Sequence, residues 1–272
     1  MSVTRIELLG VPVDICKPED LKSEISKIIA KPGTRQIVFL TVWDLLKARR
    51  KRSDFKLCLR NADLILPVSK SILKGAKFLK LPVPVRYNPF EATIELLNCL
   101  DEQYKSLYLL GSRKKTLMQA ERNVHATFSN MKIVGRYVGY YPKSVEKDVI
   151  SAIFKAAPTV VLYADGIKDK NLWFYRRREN FKTSTFLYYR DSLGIFSSRV
   201  KRVSKKTFDR GLEIWNEVLH NPFKLLLILP YMRYKFLLLW YRLFRSSKRS
   251  DAVKEVAATE PGQASENSQT EN

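Results

Sequence analysis

Seven apolar runs of strand length alternate with helix-length amphipathic segments over the first 190 residues, and this alternation limits the fold more than any other feature of the chain. The runs are RIELLGVPVD, RQIVFLTV, ADLILP, KSLYLLG, MKIVGRYVGYY, PTVVLYADG and TSTFLYYR. Between them lie KPEDLKSEISKIIAK, SRKKTLMQAERNVHATF and PKSVEKDVISAIFKAA. In the first of these segments Pro18 suits an opening helical turn, and Glu19 and Asp20 complement the helix dipole. In the second, Leu117, Ala120, Val124 and Phe128 share one face at helical spacing. Continuous β-rich runs broken by helices predict a parallel sheet covered on both sides, an α/β fold of the Rossmann-like kind. Ligands in such sheets gather at the carboxyl ends of the strands.

Three of those ends carry glycine: Gly111 before Ser112, Gly135 and Gly139 in VGRYVGYY, and Gly166 in YADG. Glycine lets backbone amides approach a phosphate, and a following helix N-terminus adds a favourable dipole. One such glycine is only a turn; three at successive strand ends point to a nucleotide pocket.

The formal charge of +22 on 272 residues is unevenly spread. The tail from Ser246 to Asn272 holds more acids than bases, which leaves about +24 on the remainder. Such a charge draws polyanions: nucleic acid, an anionic membrane surface or phosphorylated substrates. Six cations (Arg199, Lys201, Arg202, Lys205, Lys206, Arg210) fall within twelve positions against one acid, Asp209. Arg199 and Arg202, three apart, are placed to share a helical face. Directly after them, FKLLLILPYMRYKFLLLWYRLF (223–244) is nearly apolar enough to span a membrane. Lys224, Arg233, Lys235 and Arg242 interrupt it and Pro230 breaks it, which leaves eight residues as its longest uncharged stretch. Buried cations at bilayer depth are costly, so the segment reads as interfacial, with Trp240 and Tyr241 at the acyl boundary and Arg233 and Lys235 among headgroups. The competing reading is a buried C-terminal helix. The tail beyond it, rich in Ser, Glu, Gln and Asn, has the composition of a disordered segment.

Other classes are disfavoured. Cys16, Cys58 and Cys99 are odd in number and scattered, and His125 and His220 lie far apart, so neither a disulfide framework nor a zinc site is indicated. No helix-turn-helix, RNP or zinc signature supports nucleic-acid binding. The N-terminal stretch lacks the charged and apolar regions of a signal peptide, and reduced thiols fit a cytoplasmic body.

Gly10-Val-Pro-Val-Asp14, Thr41 closing the second run, ADLILP, LYLLG before a helix, IVGRYVGYY, Trp173 followed by RRREN, RVKR from Arg199, GLE from Gly211 and Pro222 together resemble the WecG/TagA/CpsF family of bacterial glycosyltransferases, from about Arg5 to Phe244. The resemblance implies a core that binds a UDP-sugar and a C-terminal appendage that brings the enzyme to the inner face of the plasma membrane. There a sugar passes to a polyprenyl-diphosphate-linked acceptor in cell-surface polysaccharide synthesis, with no cofactor. The corresponding organisation is a core at 1–196, a basic and apolar appendage at 197–245 and a tail at 246–272. Thr41, Arg86, Glu91, Gly111, Ser112, Gly139 and Gly166 are the expected donor-pocket residues, and Arg199, Lys201 and Arg202 the diphosphate-neutralising ones. A homo-oligomer is compatible with this reading, though nothing sets its size.

The chain departs from the family pattern at polar positions. Where the family carries an aspartate and glycine after the third run, the aspartate being the proposed base, Val68 and Ser69 stand here. Thr41-Val42-Trp43 replaces Thr-x-Asn, and Gly166-Ile-Lys-Asp-Lys-Asn171 lacks a Gln-Glu pair. RDSLG precedes RVKR in place of a Gly-Gly-x-Phe-Asp element, Pro89 stands for a glycine, and Glu91 for an aspartate. Two readings follow. Either the chain is a divergent transferase whose base has moved to Asp63, Asp165 or Asp169, or it is a non-catalytic partner in glycan assembly that kept the fold and the membrane surface.

Overall fold

The computed structural model describes residues 3–50, 53–204, 208–209 and 228–244. Lys205, Lys206, Arg210, Gly211, His220, Pro222 and the tail from Ser246 lie outside the described residues.

The first apolar run is two strands rather than one. β1 (Val3–Leu8) and β2 (Val11–Cys16) form an antiparallel hairpin about Leu9 and Gly10, both at positive φ, and this hairpin is a separate two-stranded sheet. The expectation of strands in a single parallel sheet is corrected here: turn geometry, not the apolar pattern, decides that this run folds back on itself. The hairpin is tied to the main sheet by Asp14, which is almost fully buried. Its carboxylate accepts from Arg5 Nε at 2.6 Å, from Arg5 Nη2 at 2.8 Å and from the backbone N–H of Ile65 at 2.7 Å. Arg5 also donates to the Ala62 carbonyl at 2.8 Å.

The chain then runs through α1 (Pro18–Ala30), β3 (Thr34–Leu40), α2 (Val42–Ala48), α3 (Asp54–Arg60), β4 (Leu64–Pro67), α4 (Lys70–Phe78), α5 (Pro89–Glu102), β5 (Ser106–Leu110) and α6 (Lys114–Thr127). It continues through β6 (Lys132–Tyr137), α7 (Glu146–Ala156), β7 (Val160–Tyr163), α8 (Asn171–Tyr175), β8 (Ser184–Tyr188) and α9 (Ser192–Phe196). The last described helix is α10 (Ile228–Phe244). Strands β3 to β8 make a six-stranded, all-parallel sheet in the order β4-β3-β8-β7-β5-β6.

Alternate residues of each strand feed opposite faces, as the pleat requires. Ile37, Phe39, Leu64, Leu66, Leu107 and Leu109 pack with α1, α5, α6 and α9. Val38, Leu40 and Ile65 pack with the hairpin, α2, α3 and α4, while Tyr108, Leu110, Val161 and Tyr163 pack with α7 and α8. Leu117, Ala120, Val124 and Phe128 of the α6 region are all buried, as their spacing predicts.

The C-terminal apolar segment joins the second of these layers. Tyr234 and Leu238 of α10 are buried against α4 and the hairpin, with Tyr231, Leu237 and Tyr241 partly covered. Pro230 is the third residue of this helix as described. Among the described residues no helix is long and apolar enough to cross a membrane.

Candidate functional site

The connection out of β5 leads to β6 on one side of the sheet, and the connection out of β7 leads to β8 on the other. Loops that leave neighbouring strands in opposite directions open a crevice at the carboxyl edge, which is where doubly wound sheets bind ligands. The loops that meet there are Gly111-Ser112-Arg113 after β5 and Ala164-Asp165-Gly166 after β7.

Backbone hydrogen bonds hold these loops together. Ser112 N–H donates to the Asp165 carbonyl at 2.8 Å, Gly139 N–H to Ser112 at 2.8 Å, and Tyr140 N–H to Gly166 at 2.9 Å. The glycines make this proximity sterically feasible. A Cβ on Gly111 would lie 2.9 Å from the Asp165 carbonyl oxygen, one on Gly139 2.7 Å from the same atom, and one on Gly166 2.6 Å from the Tyr140 ring. Gly111 and Gly166 also hold φ of 129° and 83°, which side chains resist. Their empty Cβ directions are occupied by neighbouring loops, so these glycines build the crevice wall. Gly135 lies within β6 and faces the Tyr108 ring instead.

A cavity of about 330 Å³ opens between the loops, lined by Ser112, Arg113, Thr116, Asp165, Arg199 and residues of the β8–α9 turn. Asp165 is its organising carboxylate, accepting from the Ser112 hydroxyl and, at 3.0 Å, from the Tyr140 hydroxyl. That bond to Asp165 raises the Tyr140 pKa above the ordinary phenol value and keeps the ring neutral. Arg199 reaches in from the segment after α9 and donates to Thr116 Oγ1 at 2.8 Å. Arg190 pairs with Asp191 at 2.9 Å on the rim. The fourteen-residue α6 starts beside the cavity, with no acidic residue in its first turn and no side-chain bond from its N-cap, Arg113. Its opening N–H groups and two arginines therefore present positive charge to one small volume, an arrangement suited to phosphate oxygens.

A second group of expected residues lies at the carboxyl ends of β3 and β4, two and three strands from β7 and so about 10 to 15 Å along the sheet edge. Thr41 caps α2 in a reciprocal capping box with Asp44, its hydroxyl donating to the carboxylate at 2.6 Å and accepting from Asp44 N–H at 3.2 Å. The Val68 carbonyl accepts from Arg86 Nε at 2.6 Å. The Arg86 guanidinium also stacks on the Phe208 ring at 3.7 Å and donates to its carbonyl. Ser69 Oγ accepts from Val42 N–H at 3.1 Å, stitching the two strand ends together.

Of the expected diphosphate-neutralising residues, Arg199 alone lines the crevice. Arg202 pairs with Glu91 at 3.1 Å in the first turn of α5 and lies over the Phe90 ring, and Lys201 is exposed. Residues 199–204 are not helical, so the expected shared helical face of Arg199 and Arg202 is corrected. The chain turns after α9 because Val200 packs onto Gly194, where any Cβ would lie 2.6 Å from it.

The three candidate bases separate cleanly. Asp63 precedes β4 at the amino edge, paired with Arg35 at 3.3 Å and accepting from Gln36 N–H at 2.9 Å. Asp169 is exposed and pairs with Arg176 at 3.0 Å. Asp165 is the one within the crevice. His125 is exposed in the last turn of α6, away from it. The three cysteines are buried and unpaired.

On α10, Trp240 is exposed, as are Arg233 and Lys235, whereas Tyr241 turns inward, its hydroxyl accepting from Arg49 Nη1 at 3.2 Å with the guanidinium 5.0 Å above its ring. Sequence reasoning did not single out Arg113 or the cap role of Thr41. The signal for Thr41 was its spacing three residues before Asp44 at the end of an apolar run.

The chain is similar to the N-acetylglucosaminyldiphosphoundecaprenol N-acetyl-beta-D-mannosaminyltransferase of Bacillus subtilis (strain 168), 22% identical over 174 residues that cover 64% of this chain and 67% of the relative. Residues 6–250 match the family described as the glycosyl transferase WecG/TagA/CpsF family. The protein is a member of that family, a glycosyltransferase built on a parallel α/β sheet.

Proposed function

We propose that this glycosyltransferase moves a hexosamine-type sugar from a UDP-sugar to a polyprenyl-diphosphate-linked acceptor at the cytoplasmic face of the bacterial plasma membrane, in cell-surface polysaccharide synthesis. The observation that carries the reading is Asp165, held by Ser112 and Tyr140 inside a cation-lined crevice at the switch point of the sheet. The donor diphosphate lies at the N-terminus of α6 with Arg113 and Arg199, and the sugar extends along the sheet edge toward Thr41 and Arg86. An acceptor hydroxyl attacks the anomeric carbon, its proton passes to the Asp165 carboxylate, and the bond to the UDP oxygen breaks with its electron pair on the diphosphate. Fixed positive charge stabilises the charge that develops on that leaving group.

A second reading rests on a different observation. At the β4 end, where the family carries its acid, Val68 stands, and its carbonyl and Phe208 occupy the Arg86 guanidinium. Such a site suits a chain that binds a nucleotide sugar without turning it over.

Asp165→Asn separates the two. If Asp165 is the base, the variant keeps UDP-dependent thermal stabilisation and loses roughly 10² to 10⁴ in kcat, the usual worth of a general base. Wild-type protein that is stabilised by UDP but turns over no polyprenyl-diphosphate sugar supports the second reading. Absence of any UDP-dependent shift removes the donor site from the crevice.

A further inference from the structure

On α10 the side chains divide into three arcs at about 100° per residue. Tyr231, Tyr234, Leu238 and Tyr241 face the core. Opposite them, Leu229, Met232, Phe236, Leu239, Trp240, Leu243 and Phe244 form a stripe in which each residue is 47–68% exposed. Between these arcs Pro230, Arg233 and Leu237 face α2 across a groove of about 350 Å³. That groove shares no lining residue with the crevice.

The groove is strongly basic. Lys47, Arg49 and Arg50 line it from the end of α2, Lys170 from the turn before α8 and Arg233 from α10. The single carboxylate on the lining is Asp44, which is engaged in the Thr41 capping box. Among the described residues none of these five cations makes an ion pair. Arg49 is committed to the Leu9 carbonyl and to Tyr241, and Lys47 lies 5.2 Å from the Phe55 ring centroid. Lys47, Arg50, Lys170 and Arg233 are exposed. Arg233 lines the groove and borders the apolar stripe, on the same side of α10 as Trp240 two turns further on.

A cationic recess that opens onto an exposed apolar stripe complements a molecule with a phosphate head and hydrocarbon chains. We propose that this groove is a headgroup site for an anionic membrane phospholipid, whose phosphate sits among Arg50, Lys170 and Arg233 while its chains follow the outward face of α10. The proposal rests on the membrane-surface reading above and gives it a specific site, distinct from diffuse positive charge. Charge-assisted contacts from several donors fix the head, and burial of Phe236, Trp240 and Leu243 among lipid chains supplies the rest.

The test compares full-length protein and two charge-matched triple variants in sedimentation with vesicles of phosphatidylcholine, with and without phosphatidylglycerol. One variant is Arg50→Gln/Lys170→Gln/Arg233→Gln. The control is Lys105→Gln/Lys132→Gln/Lys155→Gln, on exposed positions at the amino edge of β5 and β6 and the end of α7. The groove variant is expected to lose roughly a hundredfold in binding to the anionic vesicles and the control to lose little, with the difference shrinking at high salt. Equal losses in the two variants overturn the site while leaving the membrane reading intact. No wild-type binding to anionic vesicles overturns the membrane reading itself. Unchanged vesicle binding with a raised KM for the polyprenyl-linked acceptor assigns the groove to that substrate instead and overturns the phospholipid proposal. Equal melting temperatures for all three proteins show that the comparison is between folded chains.

Discussion

The Cβ that Gly75 lacks would stand 2.1 Å from the Tyr234 hydroxyl and 3.2 Å from its Cζ, so the bare backbone of α4 is the seat of the α10 phenol. Tyr234 donates from there to the Ser71 carbonyl at 2.8 Å, and burial raises its pKa well above the ordinary phenol value. Leu238 lies beside it, and a Gly75 Cβ would be 3.3 Å from its Cδ2. One helix thus packs into the core with one face and leaves an apolar stripe outward with another.

Gly75→Leu tests this docking. The substitution improves helix propensity by roughly 1 kcal/mol yet fills the seat of Tyr234, whose burial contributes about 1.5–3 kcal/mol. Hydrogen exchange of the α10 amides is expected to accelerate while amides of β3, β5 and β7 keep their protection. Unchanged exchange in α10 would mean that Tyr234 does not anchor the helix.

Arg199 and Arg202 stand three residues apart in sequence and should behave differently. Arg199→Gln removes a cation from the crevice and is expected to weaken UDP binding by about tenfold or more, on the scale of one charge-assisted contact. Arg202→Gln breaks only an exposed pair with Glu91, so UDP affinity should shift less than about threefold and stability by less than about 1 kcal/mol. Isothermal titration with UDP reads both. Equal effects would place Arg202 at the diphosphate as well.

Asp14→Ala leaves the Ile65 N–H and the Arg5 guanidinium without their shared acceptor. Because Asp14 is buried and Arg5 part-exposed, the expected loss is about 3 kcal/mol, toward the low end for a broken buried pair. Urea unfolding measures it, and a loss below about 1 kcal/mol would show that the hairpin is held by apolar packing alone.

Burial pushes the Cys58 thiol up to about 12 from an ordinary 9.0. The folded state therefore favours the neutral thiol. Its contribution to stability is complete below the unfolded value and is lost as pH rises from about 9 toward 12. At pH 8 the thiolate fraction of Cys58 is on the order of 10⁻⁴, so alkylation of native protein should be slow and should track global unfolding. Rapid modification of Cys58 under native conditions would contradict its burial.

Much of the fold was legible because both of its periodicities are local properties. Strand-length runs such as KSLYLLG and PTVVLYADG became β5 and β7, and the spacing of Leu117, Ala120 and Val124 named the buried face of α6. The hairpin was not legible, since RIELLGVPVD reads as one apolar run until Leu9 and Gly10 take positive φ. Helix α5 went unread although Asn88 and Pro89, a cap and a first-turn proline, mark its start.

The candidate site divided along the same line. Glycine at the ends of β5 and β7 could be read from the chain, because residue type and order alone put it at a carboxyl edge, whereas of the cations after α9 only Arg199 lines the crevice. Which of Asp63, Asp165 and Asp169 faces the crevice could not be read from the chain, since that depends on strand order β4-β3-β8-β7-β5-β6 and on which edge each loop leaves. By itself the sequence determined a parallel α/β sheet, a strongly basic chain and an apolar C-terminal segment, all of which follow from side-chain pattern and composition. Tertiary structure alone decided that Ser112 and Tyr140 converge on Asp165, that Arg202 is spent on Glu91, and that α10 rests on Gly75. Each is a contact between residues distant in sequence, and only the packed sheet brings them within bonding distance.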